Sequence, residues 1–105
     1  LTVLSTVTSR PTADRIICDA GFKATGNVSP DPELRNISDC ASIKFSAEHG
    51  IITLSQGTPQ PRVGDTIEFV SGYSASAIFL HEYLYGVRDG LVDTVWPVIG
   101  RGRLQ

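Results

Sequence analysis

Methionine is absent from this chain of 105 residues, which holds only two cysteines, two histidines and one tryptophan. Cys18 and Cys40 do not form a paired metal-binding motif, and His49 and His81 are far apart in sequence. No zinc site follows from them. The cysteines can be free thiols or a disulfide, and buried free thiols are the preferred reading. Lysine is equally scarce: only Lys23 and Lys44 could form a Schiff base, and neither sits in a recognisable setting for one. A phosphate-cradling glycine loop and a nucleophile elbow are both missing. So is a basic surplus. The net charge of −2 and the pI near 5.5 argue against a nucleic-acid partner, because phosphate binding shows as a basic stripe. No apolar run approaches the roughly 18–20 residues that cross a bilayer, so no membrane partner is expected. Leu1 to Ser9 has no basic start and is not read as a signal peptide, which leaves a cytoplasmic location. The lack of an initiator methionine suggests a fragment or a processed piece. Asn27-Val28-Ser29 and Asn36-Ile37-Ser38 fit the glycosylation pattern, which is common by chance.

What is present is globular. Hydrophobic residues make up 41% and charged residues 19%, enough for one domain with an adequate core. The first run, Thr2 to Ser9, alternates with period two and reads as a strand, broken by Arg10-Pro11-Thr12-Ala13-Asp14. Arg15 to Asp19 returns beside it. Thr25 to Asp39, with Pro30 and Pro32, reads as a long surface loop. Ser42 to Ala47 and Ile51 to Ser55 flank Glu48-His49-Gly50 and form a hairpin, and Thr66 to Val70 is a further strand. Ser71 to Ser76 reads as irregular and Ala77 to Glu82 as one helical turn. Tyr83 to Arg88 and Leu91 to Trp96 flank Asp89-Gly90, whose residue types accept the positive φ of a tight turn. The segment Val98 to Arg103 closes this hairpin, and its Arg101 and Arg103 either dock on a carboxylate or phosphate or are solvated. Seven to eight short strands with at most a turn or two of helix predict an all-β barrel or sandwich.

Five stretches, in order, resemble a known family: Asp19-Ala20-Gly21-Phe22-Lys23-Ala24, Ser46-Ala47-Glu48-His49-Gly50, Val63-Gly64-Asp65, Leu80-His81-Glu82, and the run from Asp89-Gly90 to Arg103. No single one is specific, but their order is. They resemble the C-terminal domain of the D-threonine aldolase and D-serine dehydratase group, of alanine-racemase-like fold type III, over nearly the whole chain. The resemblance implies that residues 1–105 are one β domain. Its companion would be an N-terminal (β/α)8 barrel, not in this chain, that holds pyridoxal phosphate through a Schiff-base lysine. It further implies a homodimer, a small D-amino acid or D-3-hydroxy amino acid substrate, and aldolase, dehydratase or racemase chemistry with the cofactor as electron sink.

The resemblance also carries residues. Family members bind a divalent metal through a His-x-Cys pair just before the Leu-His-Asp segment, and counting back from Leu80-His81-Glu82 puts those positions at Tyr73 and Ala75. Alanine has no donor and a phenol is a poor zinc ligand near neutral pH, so the metal is expected to be lost. Tyr73 then becomes the candidate general acid for a leaving hydroxyl, against a plain packing role. His81 matches a family histidine and is a candidate for proton transfer, or else a hydrogen-bonded structural residue. His49 is a candidate for the substrate side. Asp19 and Lys23 are candidates for the interdomain face, unless they form an ion pair around their turn. A reading of another class remains beside these: a non-enzymatic β module that binds through Ser71 to Ser76.

Overall fold

The computed structural model describes residues 1–103. Its elements are β1 (Thr2–Thr12), β2 (Arg15–Cys18), α1 (Phe22–Thr25), β3 (Glu33–Leu34), β4 (Cys40–Phe45), β5 (Gly50–Leu54), β6 (Thr66–Val70), α2 (Ser74–Leu80), β7 (Tyr83–Arg88) and β8 (Leu91–Pro97). The alternation of the first residues is realised in β1, which turns Val3, Ser5 and Val7 inward and leaves Leu4, Thr6 and Thr8 outside. This strand has two partners. Thr2 to Thr6 pair with β6, and Val7 to Thr12 pair with β2. All pairings are antiparallel, and the order β3-β6-β1-β2-β5-β4 gives a nearly closed, barrel-like sheet. The fold is the all-β one expected, with eight strands and two short helices among the described residues.

The interior is filled from both halves. Ile16, Ile52 and Phe69 are fully buried, with Val7, Cys18 and Leu54 around them. Phe45 meets Phe69 edge on at 5.5 Å between centroids, a favoured aromatic geometry.

Several boundaries differ from the sequence reading: β4 begins at Cys40 and ends at Phe45, Gly50 belongs to β5, and four larger differences follow. The break expected at Arg10 does not occur: β1 runs through Pro11 to Thr12, and register shifts on both sides of Ser9 accommodate a residue that has no N–H to donate. The span Thr25 to Asp39 is not all loop, since it contains the end of α1 and the short β3, whose Glu33 and Leu34 lie opposite Val70 and Phe69. The helical turn begins at Ser74 rather than Ala77 and stops at Leu80, so Ser74, Ala75 and Ser76 are helical and not irregular. The segment after Pro97 does not extend the hairpin as strand. It turns, with Arg101 N–H donating to Val98 O at 3.0 Å, and the Arg101 guanidinium pairs with Glu82 at 3.0 Å.

The Asp89-Gly90 turn forms as expected, with φ of 51° and 77°. Cys18 and Cys40 are free, and Cys40 is half-buried rather than buried. They flank β5 at its two ends, opposite Gly50 and Leu54. That offset is about 13 Å along a strand, beyond what a disulfide spans. Among the described residues no helix is long and apolar enough to cross a membrane.

Candidate functional site

The candidate residues lie in or beside the two short helices, which pack on each other, and the turn that holds the first of them. Helix α1 is fixed by the β4–β5 turn: Phe22 N–H donates to Ser46 O at 2.9 Å and Lys23 N–H to Ala47 O at 3.1 Å. Only glycine fits before it. A Cβ at Gly21 would lie 2.5 Å from the Ala47 carbonyl carbon, inside its van der Waals envelope. The turn itself is held through backbone groups, with Ser46 N–H donating to His49 O and His49 N–H to Ser46 Oγ. His49 is exposed, and Glu48 beside it takes the Lys23 ammonium as an exposed ion pair. That pairing corrects one expectation, because Lys23 does not pair with Asp19.

Asp19 is engaged elsewhere. One of its carboxylate oxygens accepts from Ser5 Oγ at 2.9 Å and from Thr6 N–H at 2.8 Å, and its own N–H donates to Thr6 O. The carboxylate therefore clamps the end of β2 to the place where β1 changes partner.

Helix α2 packs on α1. Its Ser76 hydroxyl reaches back to Tyr73 O at 2.9 Å, and Gly26, with φ of 87°, leaves no room for a Cβ against that hydroxyl. Beyond the helix, the His81 ring places Nε2 2.8 Å from Ala24 O in α1. A carbonyl only accepts, so Nε2 carries the proton and Nδ1 of the neutral ring is left as an acceptor. Tyr73 is the residue before α2, its side chain half exposed, and Ala75 is in the first turn. Gly72 lets this connection pass the Pro30 carbonyl, where any Cβ would overlap it. Tyr73 and His81 thus stand at opposite ends of α2, on the order of 12 Å apart along its axis.

The same region bears on what it can hold. Lys23 is exposed and paired with Glu48, and Lys44 is exposed on β4, so neither lysine fits the carrier of a carbonyl cofactor. Tyr73 and Ala75 offer a phenol and a methyl group, which do not fit a divalent metal. Among the described residues no three His, Cys, Asp or Glu side chains are grouped to hold one. A cleft of about 650 Å³ lined by Leu34, Ile37, Asp39, Pro61, Asp65 and Glu68 lies elsewhere and includes none of the candidate residues.

Residues 1–87 match the model of the family described as "Putative serine dehydratase domain". The chain belongs to this family. This serine dehydratase-type domain is 33% identical over 102 residues to a D-threonine aldolase of an Arthrobacter species, covering 97% of this chain and 27% of that protein. It is 35% identical to a 3-hydroxy-D-aspartate aldolase of Paracoccus denitrificans, covering 98% of this chain and 26% of that protein. The chain therefore spans about a quarter of the length of these relatives. Among solved structures, D-threonine aldolase from Filomicrobium marinum superposes with a TM-score of 0.92 at 27% identity, over 99% of this chain and 29% of that one. An alanine racemase-like protein from Idiomarina loihiensis superposes with a TM-score of 0.72 over 91% of this chain and 31% of that one; at 17% identity it shows the fold alone. The resemblance read from the five sequence stretches is the family found.

Two features of the site were beyond the sequence. The acceptor for His81 is a backbone oxygen 57 positions earlier, and the partners of Asp19 lie 13 and 14 positions before it on another strand. No local pattern marks either. The glycine in Asp19-Ala20-Gly21 was the available signal, because it shows where backbone must approach backbone.

Proposed function

We propose that this chain is the β domain of a cytoplasmic, homodimeric, pyridoxal-phosphate-dependent enzyme that acts on a D-amino acid or D-3-hydroxy amino acid. The observation that carries the proposal is membership of the serine dehydratase-type family, with a match to D-amino acid aldolases along essentially the whole chain. The domain closes the active site over a cofactor held by a (β/α)8 barrel elsewhere in the protein. When bound, the cofactor supplies the electron sink that stabilises charge at the α-carbon.

This domain's own contribution lies at the two ends of α2. The N–H of Ser71 donates to Leu1 O at 3.4 Å, and Thr2 pairs with Val70, so chain preceding Leu1 would join beside Tyr73. A half-exposed phenol at that junction suits a group that faces a second domain. Where the β-hydroxyl is eliminated, Tyr73 Oη donates a proton to that oxygen as its bond to the β-carbon breaks, releasing water, in the place the family gives to a metal at positions 73 and 75. His81, oriented by its Ala24 bond, presents Nδ1 as an acceptor. His49, with Lys23 and Asp19, belongs to the interdomain side.

The full-length enzyme tests this. Tyr73→Phe should lower kcat by about 10²–10⁴-fold with little change in KM, the range for loss of a general acid. Activity should survive a chelator, and the chain of residues 1–105 alone should show no cofactor absorbance and no turnover. A variant within threefold of the parent, or chelator-dependent activity with stoichiometric zinc, would sink the role of Tyr73. Absence of cofactor absorbance from the full-length protein would sink the enzyme reading as a whole.

A further inference from the structure

The β7–β8 hairpin exposes apolar surface that the barrel-like sheet does not use. Among the described residues the two strands pair with each other and with no other strand, and β8 is exposed along its whole length. Antiparallel partners share a face, so Tyr83 opposite Pro97, Tyr85 opposite Val95 and Val87 opposite Val92 form a continuous stripe. The 6.5 Å between the Tyr83 and Tyr85 rings agrees with this. Every one of the six is apolar or aromatic, and Tyr83, Tyr85, Val87, Val92 and Val95 are 48%, 60%, 58%, 58% and 49% exposed. Contiguous apolar surface on the order of 400–500 Å² marks an interaction site, and a lone two-stranded hairpin is marginal in water.

The charge around the stripe narrows the occupant. Arg88 is paired with Asp93 and Arg101 with Glu82, so the rim is self-neutralised and offers little to an anionic polymer or a phospholipid surface. What remains fits a protein surface that is apolar at its centre. The relatives extend to nearly four times this chain's length, so a large folded body accompanies such a domain.

We propose that the Tyr83–Tyr85–Val87 face of the hairpin is the seat of the barrel domain of this protein. The proposal rests on the enzyme reading above and adds the surface through which the two domains meet. The test is a photo-crosslinker, Tyr85→p-benzoylphenylalanine, in the full-length protein, with cofactor absorbance measured on the same sample. Crosslinks to peptides of the barrel are expected, and an equal mixture of ¹⁴N- and ¹⁵N-labelled protein tells whether the barrel belongs to the same subunit or its partner. Crosslinks from hairpin to hairpin overturn the proposal in favour of a second copy of this domain. Crosslinks to no protein segment, in a sample that carries cofactor, also overturn it while leaving the enzyme reading intact. A sample with neither cofactor absorbance nor a barrel fails both.

Discussion

Substituting alanine for Gly21 should dislodge the helix that supports His81, although residue 21 touches no side chain of the site. The added Cβ would meet the backbone carbonyls of Ser46 and Ala47, which cannot rotate away as a side chain does. Those carbonyls are the acceptors for Phe22 and Lys23 N–H, so relieving the overlap means moving α1 off its anchors. Overpacking of this kind costs about 1–3 kcal/mol, and each weakened backbone bond about 0.5–1.5. A gain of about 0.4–1 kcal/mol from the stiffer unfolded chain offsets part of it. The net loss should be about 2–4 kcal/mol, or a fall in Tm of roughly 10–20 °C for a domain of this size. Urea unfolding of the chain followed by circular dichroism measures it. Gly100→Ala, where nothing lies within 4 Å of the new Cβ, is the control and should stay within about 0.5 kcal/mol of the parent. Because Ala24 rides on α1, the Gly21 variant should also disturb the His81 ring, visible in its NMR shifts. A Gly21→Ala chain as stable as the control, with unmoved His81 resonances, would refute the claim that α1 is pinned through these carbonyls.

Two further outcomes follow from the other fixed points. Asp19→Ala leaves the buried Ser5 hydroxyl and the Thr6 N–H without their acceptor, and should cost about 1–3 kcal/mol, with Asp19→Asn recovering part; equal stability of all three proteins contradicts the clamp. Asp14 has its carboxyl held below the ordinary value of 3.8 by the Thr12 hydroxyl and its own backbone. A lowered acid stabilises the fold above its unfolded value and loses that contribution as pH falls through the folded one. Thr12→Val should therefore raise the Asp14 midpoint in an NMR titration, and an unmoved midpoint would show that the hydroxyl is not the cause.

The legible parts of this chain are those whose cause is local. Asp89-Gly90 announces its turn because only certain residues accept positive φ, while Ile43 and Phe45 announce one strand by alternation and Ile51 to Ser55 another by its β-branched residues, around Glu48-His49-Gly50. The illegible parts depend on distant partners. Two-residue β3 exists only because β6 offers it an edge, and four-residue α1 only because Ser46 and Ala47 hold its first N–H groups. Pro11 looked like a stop, and shifts of register made it a passage. Sequence order singled out Tyr73, His81, His49, Lys23 and Asp19 as candidates. Which atom each one holds could be found only in three dimensions, and the Lys23 pairing with Glu48 instead of Asp19 is the plainest case.

Strand β1 has one partner close in sequence and one far away. Its pairing with β2, a neighbour across a two-residue turn, should form early, whereas Thr2 must wait for Val70, roughly 70 positions downstream, and pairings of such span close slowly. During synthesis the first strand would leave the ribosome half-dressed, with the Thr2 to Thr6 edge bare until β6 emerges. A nascent chain stalled before Thr66 should therefore offer that edge to chaperones, and one stalled well past Val70 should not.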